Sequence, residues 1–258
     1  GTLPGVATPA PAAVPAETAA TDSVAAAIAS APRVAIDTPR LTGSISLFGG
    51  RFDDLSLKDY KVSLEAGSAD VQLLSPVGGS APDETLPYYA VHGWQPAGGL
   101  SPEAVPGART LWSLEEGTTL APGAPVKLRW DNGAGLVFHR AISVDNDYLF
   151  TILQSVENRT EAPVRLAPYG IVVRHGIPDS TRIYVLHEGV VGMADGALNE
   201  IKYSAIPDLD ADAREGGPTE ATAVTESGWI GFTDKYWMTT LIPNQGQPFT
   251  SVAKYVPS

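Results

Sequence analysis

The sequence predicts an all-β protein of antiparallel sheets, on three observations. Apolar residues recur at every second position over strand-length runs: Leu41, Gly43, Ile45 and Leu47 alternate with Thr42, Ser44 and Ser46, which puts the apolar groups on one face. Turn signatures separate such runs, at Gly49-Gly50, Asp131-Asn132-Gly133, Asp145-Asn146 and Asn158-Arg159-Thr160. The 26 glycines and 22 prolines among 258 residues exceed the average share of about 12%, and many turns between short strands account for the excess.

Residues 1–32 are almost entirely Ala, Pro, Thr, Val and Gly, with too little bulky apolar surface to offset the entropy of ordering. They read as a flexible, disordered tether, in which an alanine-rich helix over Asp22–Ser30 is too short to be stable alone. From Val34 the character turns to strand. The run through Leu47 leads into Gly49-Gly50, which supplies the positive φ of a tight turn, and Arg51–Leu57 returns antiparallel. Residues 75–107 are rich in Gly and Pro, with Tyr88, Tyr89, His92 and Trp94 among them. There Pro87–Trp94 reads as an edge strand, and Ser75–Thr85 and Gln95–Ala108 as loops. Val126–Trp130, Gly135–Val144, Asp147–Glu157 and Val164–Val173 follow as an antiparallel meander, and no helical stretch between them leaves room for a βαβ fold. Tyr184–Tyr203 reads as short strands broken by Gly189, Gly192 and Gly196, and Pro207–Gly217 as an acidic exposed turn.

Gly228–Pro243 is the stretch around which the rest is expected to be wrapped. Its halves are apolar runs joined by Thr233, Asp234 and Lys235, a β-hairpin. Trp229, Gly231 and Thr233 share one face of the first strand, Ile230 and Phe232 the other. In the second strand Tyr236, Met238, Thr240 and Ile242 lie opposite Trp237, Thr239 and Leu241. Large apolar groups on both faces predict a strand pair in the middle of a two-layer structure. Phe249–Tyr255 is the last strand.

Composition narrows the function. A net charge of −12 at a pI near 4.7 argues against nucleic acid, whose phosphates repel such a surface, and against resting on anionic lipid. The chain has no cysteine, which removes disulfides, thiol nucleophiles and thiolate metal sites. It has no run approaching the ~20 apolar residues of a membrane span. It begins with Gly1, without a basic leader, and is expected to be a soluble fragment of something longer.

The order of residues in Gly228–Pro243, a glycine, an aromatic, a short apolar strand, then Lys-Tyr-Trp-Met and Leu-Ile-Pro, resembles the end of the large periplasmic domain of the YidC family of bacterial membrane protein insertases. The extended start at Val34–Leu47, then Gly49-Gly50, Phe52-Asp53-Asp54-Leu55, and Asp147-Tyr148-Leu149-Phe150 before Asn158 carry the same likeness, over roughly residues 33–255. The resemblance implies a β-supersandwich similar to galactose mutarotase, occupying 33–258 behind a linker at 1–32 that follows a removed transmembrane helix. It implies a multi-pass parent whose five-helix membrane core comes after this domain, on the periplasmic face of the bacterial inner membrane. In the family more strands and a helix usually follow Phe249–Tyr255, so either the fragment ends early or this member is shorter, and an incomplete sheet leaves an exposed edge.

The implied function is assistance to the insertion and folding of inner-membrane proteins, alone or with the Sec translocon. This domain then serves as a docking module or chaperone surface, with no catalytic residue and no cofactor. Sec components and nascent inner-membrane proteins are the partners it implies, through the parent. The alternatives are a sugar- or peptide-binding sandwich, with Tyr88, Tyr89, Trp94 and Trp112 as the candidate surface, and an aldose-epimerase-like enzyme. Mutarotases use a histidine acid and a glutamate base. His92, His139, His175 and His187 with Glu188 or Glu226 lack the motif order for it, and fold analogy alone does not carry function. His187-Glu188 lacks the second histidine of a zinc protease motif, and Gly133-Ala134-Gly135 lacks its third glycine. Asp208, Asp210 and Asp212 have the spacing of a calcium loop, but Ala213 and Thr219 stand where glycine and glutamate belong. A solvated acidic turn is the expectation there, and a plain hairpin turn at Asn158-Arg159-Thr160.

Overall fold

The computed structural model describes residues 28–77, 86–177 and 187–257. The expected tether lies outside these, apart from its last positions. The regular structure of the described chain is almost all strand, with short 3-10 turns at Pro102–Ala104 and Tyr203–Asp208. Among the described residues no helix is long and apolar enough to cross a membrane. The fold is all-β, and the chain divides into two compact units that part between His175 and Gly176.

The first unit contains β1 (Arg33–Asp37), β2 (Leu41–Ser46), β3 (Arg51–Lys61), β4 (Asp70–Leu74), β5 (Tyr88–Ala97), β6 (Ser113–Glu116), β7 (Thr119–Leu120), β8 (Val126–Asp131), β9 (Leu136–Val144), β10 (Phe150–Asn158) and β11 (Arg165–Arg174). One sheet has the order β11-β5-β3-β2-β1-β7, with β4 also on β3; the other runs β10-β9-β8-β6. Pairing is antiparallel except between β1 and β7. Thr38 closes the first turn, its Oγ1 accepting the Leu41 N–H at 2.8 Å, and Gly49 and Gly50 make the second with φ of 69° and 62°. Val34, Ile36, Leu41 and Ile45 from one sheet and Leu128, Phe138 and Ile142 from the other are buried.

Two expectations are corrected here. Pro87–Trp94 belongs to an interior strand: β5 pairs with β11 along ten residues and meets β3 at Phe52 and Ala90. Pro87 itself precedes the strand, where its missing N–H costs nothing. The meander holds only from β8 to β10, because β11 pairs with β5 in the other sheet.

The second unit contains β12 (Gly189–Ala194), β13 (Ala197–Lys202), β14 (Ala211–Asp212), β15 (Gly217–Val224), β16 (Gly228–Thr233), β17 (Met238–Leu241) and β18 (Phe249–Lys254). Its sheets run β13-β12-β16-β17 and β14-β15-β18. Val190, Ile201, Tyr203, Ile206 and Ala253 form its core, with Leu209, Ile230 and Phe232 packed against them. Tyr203 stacks on Phe232 with ring centroids 5.9 Å apart and donates its hydroxyl to Asp234 at 2.8 Å. The hairpin of Gly228–Pro243 is present as β16 and β17, but at the margin of its sheet. Ile230 and Phe232 face the core; β17 has a neighbour on one side only.

Candidate functional site

The aromatic surface expected at Tyr88, Tyr89, Trp94 and Trp112 is not a surface. The four are 3%, 5%, 5% and 1% exposed. The structure brings Trp94 and Trp112 together, stacked with centroids 6.3 Å apart, and sets Trp94 edge-on to Phe138 at 5.0 Å. Tyr88 and Tyr89, adjacent along β5, instead lie beneath Arg174 and Arg51. Rings this size stabilise most when fully desolvated, and a two-layer core takes them in.

At the centre of that aromatic group is Arg140 of β9, which is fully buried. Its Nη1 donates to Gly50 O at 2.9 Å, its Nη2 to His92 O, and its guanidinium lies 4.7 Å from the Trp112 ring centre. No carboxylate among the described residues pairs with it. Burial pushes its pKa down to about 10, so it stays charged at neutral pH, held by two carbonyl dipoles and an aromatic face. The buried Arg140 Nε, Trp112 Nε1 and His92 Nδ1 have no partner among the described residues. His92 is correspondingly hard to protonate: burial first, and Arg140 second, lower its pKa to about 4.

The four histidines are not brought into a catalytic pair. His139 meets Glu115, with 3.0 Å between Nδ1 and Oε2, in a charged ladder with Lys127 on the outer side of β6, β8 and β9. Lys127 first, then His139, holds the Glu115 carboxyl below its usual range. His187 contacts Val190 O at 2.8 Å. Neither Glu188 nor Glu226 hydrogen-bonds a histidine among the described residues. Asp212 accepts the N–H groups of Arg214 and Glu215, an acidic turn folded on its own backbone. The described residues contain no group of three metal-ligating side chains. Asn158 is a turn residue whose Oδ1 accepts the Thr160 N–H at 3.0 Å.

A narrow cleft between the second unit's sheets is lined by Asn199, Glu220, Thr222 and Ser251 on its polar side and by Ile230 and Ala253 on its apolar side; it has room for a water molecule. Apolar groups do reach the surface elsewhere. Tyr60, Val62 and Leu64 stand out at the end of β3, and Tyr236, Met238 and Ile242 along β17. The alternation that placed Tyr236, Met238 and Ile242 on one face was readable in the sequence, but which face met water was not.

These features define an acidic, all-β module that keeps Tyr88, Tyr89, Trp94 and Trp112 in its core and exposes apolar groups at strand ends and edges. The sequence profile of the YidC periplasmic domain matches residues 33–257, and the chain belongs to that family. It is 57% identical over 238 residues to the membrane protein insertase YidC of Dinoroseobacter shibae, covering 92% of this chain and 38% of that protein. It is 58% identical over 226 residues to that of Cereibacter sphaeroides, covering 87% and 36%, and 51% identical over 267 residues to that of Paracoccus denitrificans, covering 96% and 42%. The chain thus spans about two-fifths of the length of these relatives, which carry the name of an insertase and not of an enzyme.

Proposed function

We propose that this chain is the periplasmic docking module of an inner-membrane insertase, whose parent protein assists insertion and folding of membrane proteins alone or with the Sec translocon. The observation that carries the reading is the family match along 33–257 together with relatives named membrane protein insertase. The acidic surface and the apolar groups exposed at Leu64, Met238 and Ile242 support a role in contacting other chains. With Tyr88, Tyr89, Trp94 and Trp112 inside the core, a sugar-stacking platform built from them loses its physical basis. The test is site-specific photocrosslinking from exposed positions of the full-length parent in cells. Adducts with Sec components or with nascent inner-membrane proteins are the expected result; a scan of the whole surface that recovers neither overturns the docking role.

A further inference from the structure

Among the described residues β17 has a strand on one side only, β16. The hairpin closes with the Asp234 N–H donating to Trp237 O at 2.8 Å, and the register sets Thr233 opposite Met238, Phe232 opposite Thr239 and Gly231 opposite Thr240. In an antiparallel ladder, residues that exchange hydrogen bonds alternate with residues that do not. Trp237, Thr239 and Leu241 therefore bond inward to β16, and the backbone N–H and C=O of Met238 and Thr240 point the other way, off the sheet.

Beyond Leu241 the ladder is closed by a side chain. Gln245 accepts the Gly228 N–H at 2.9 Å and donates back to Gly228 O at 3.1 Å. Nothing similar covers the outer side of Met238–Leu241 among the described residues. That four-residue stretch contains no Lys, Pro or bulge, three of the usual protections of an exposed edge, its shortness being the one it has. Tyr236, Met238 and Ile242, on one face of it, are 71%, 52% and 59% exposed.

An edge left open in this way among the described residues is complementary to another extended backbone. Charge decides whose. Residues 187–257 carry ten Asp and Glu against four Lys and Arg, so a second copy brings like charge against like, whereas a basic segment is attracted. We propose that the outer edge of β17 captures an extended peptide of net positive charge with apolar residues at alternate positions, adding it as a fifth strand. This rests on the docking reading only for the peptide's biological source.

The 258-residue chain is titrated against a fluorescein-labelled peptide Lys-Val-Thr-Val-Thr-Val-Lys and against Glu-Val-Thr-Val-Thr-Val-Glu, with anisotropy as the readout. The lysine peptide is expected to bind saturably and the glutamate peptide not. Thr240→Pro removes an outward N–H while sparing the bonds to β16, and Met238→Lys places a cation on the edge; each should weaken binding about tenfold, the worth of one hydrogen bond or so, with an unchanged melting temperature. Should Thr240→Pro fail to fold, Met238→Lys remains decisive. Equal affinity in the folded variants, equal binding of both peptides, no binding of the lysine peptide at about millimolar concentration, or a dimer that Thr240→Pro splits would each overturn the proposal. Crosslinks obtained at other surface positions of the parent would leave the docking role standing after such a failure.

Discussion

Arg140 stands where the alternation of β9 places an inward residue, in line with the buried Leu136, Phe138, Ile142 and Val144. The apolar members of that row were legible in the sequence; the arginine was not, because a lone arginine in a strand reads as solvent-facing. It explains Gly50 as well. The turn at Gly49-Gly50 was legible from its chemistry, but a Cβ at Gly50 would sit 2.2 Å from Arg140 Nη1, a packing demand that turn propensity does not contain. The same cluster makes His92 a pH-sensitive residue. Its pKa falls from an ordinary 6.5 to about 4 in the folded chain, so between those values the unfolded chain binds the proton more readily, and stability rises with pH. The neutral imidazole therefore contributes fully above about pH 6.5, and the contribution is lost as pH falls through 4, up to about 3 kcal/mol. Urea unfolding from pH 7 to pH 4 should show that loss, and His92→Gln should flatten the part of the slope due to this residue. An unchanged slope in the variant would refute the assignment.

At the level of elements, strands with bulky alternating residues and marked turns were legible: β2 with β3, β8 to β10, β16 with β17, and β18. β15 was not, because Gly217–Val224 is built from Thr, Ala and Pro around one Glu and one Val and has no apolar period to detect. Its existence depends on pairing with β18 across six residues, a contact distant in sequence. The loop that carries the chain from β15 into β16 is fixed by another distant residue. Asp195, at φ 48° in the turn between β12 and β13, accepts the N–H groups of Thr225, Glu226 and Ser227 and the Thr225 hydroxyl, all at 2.7–3.0 Å. The Ser227 N–H first, then the Thr225 hydroxyl, hold its carboxyl far below the usual aspartate range. Its stabilising effect is thus present above the ordinary aspartate pKa and lost only in strong acid. Asp195→Ala should accelerate amide exchange at Thr225, Glu226 and Ser227 and lower the unfolding midpoint at neutral pH, with Asp195→Asn intermediate. Exchange as slow as in the parent chain would show that the loop holds without the carboxylate.

For the whole molecule, the all-β class and the family were legible because both rest on order and spacing. The division after His175 was not, since the short Gly-, Pro- and Asp-containing stretch between the expected strands Val164–Val173 and Tyr184–Tyr203 reads like any other turn of the chain. The candidate surface failed for a related reason: aromatics in a Gly- and Pro-rich stretch look exposed one residue at a time, and only the partner sheet decides that they are buried. Charge is the whole-molecule property that reads most directly into behaviour. At the end of β3, Tyr60, Val62 and Leu64 are exposed at alternate positions, an arrangement able to enter a lipid surface and gain a few kcal/mol at about 0.8 kcal/mol per buried CH₂. The cations beside them are already engaged, Lys58 with Asp37 and Lys61 with Asp70. An anionic leaflet rewards spare cations at about 1 kcal/mol each and repels carboxylates by the same field, so a chain of net charge −12 is held off it. The chain should therefore stay in the supernatant when anionic vesicles are sedimented at low salt. Any binding that does occur should increase as salt shortens the range of repulsion, the reverse of a basic peripheral protein. Pelleting at low salt that added salt relieves would mean that local cations, and not the net charge, govern its approach to a membrane.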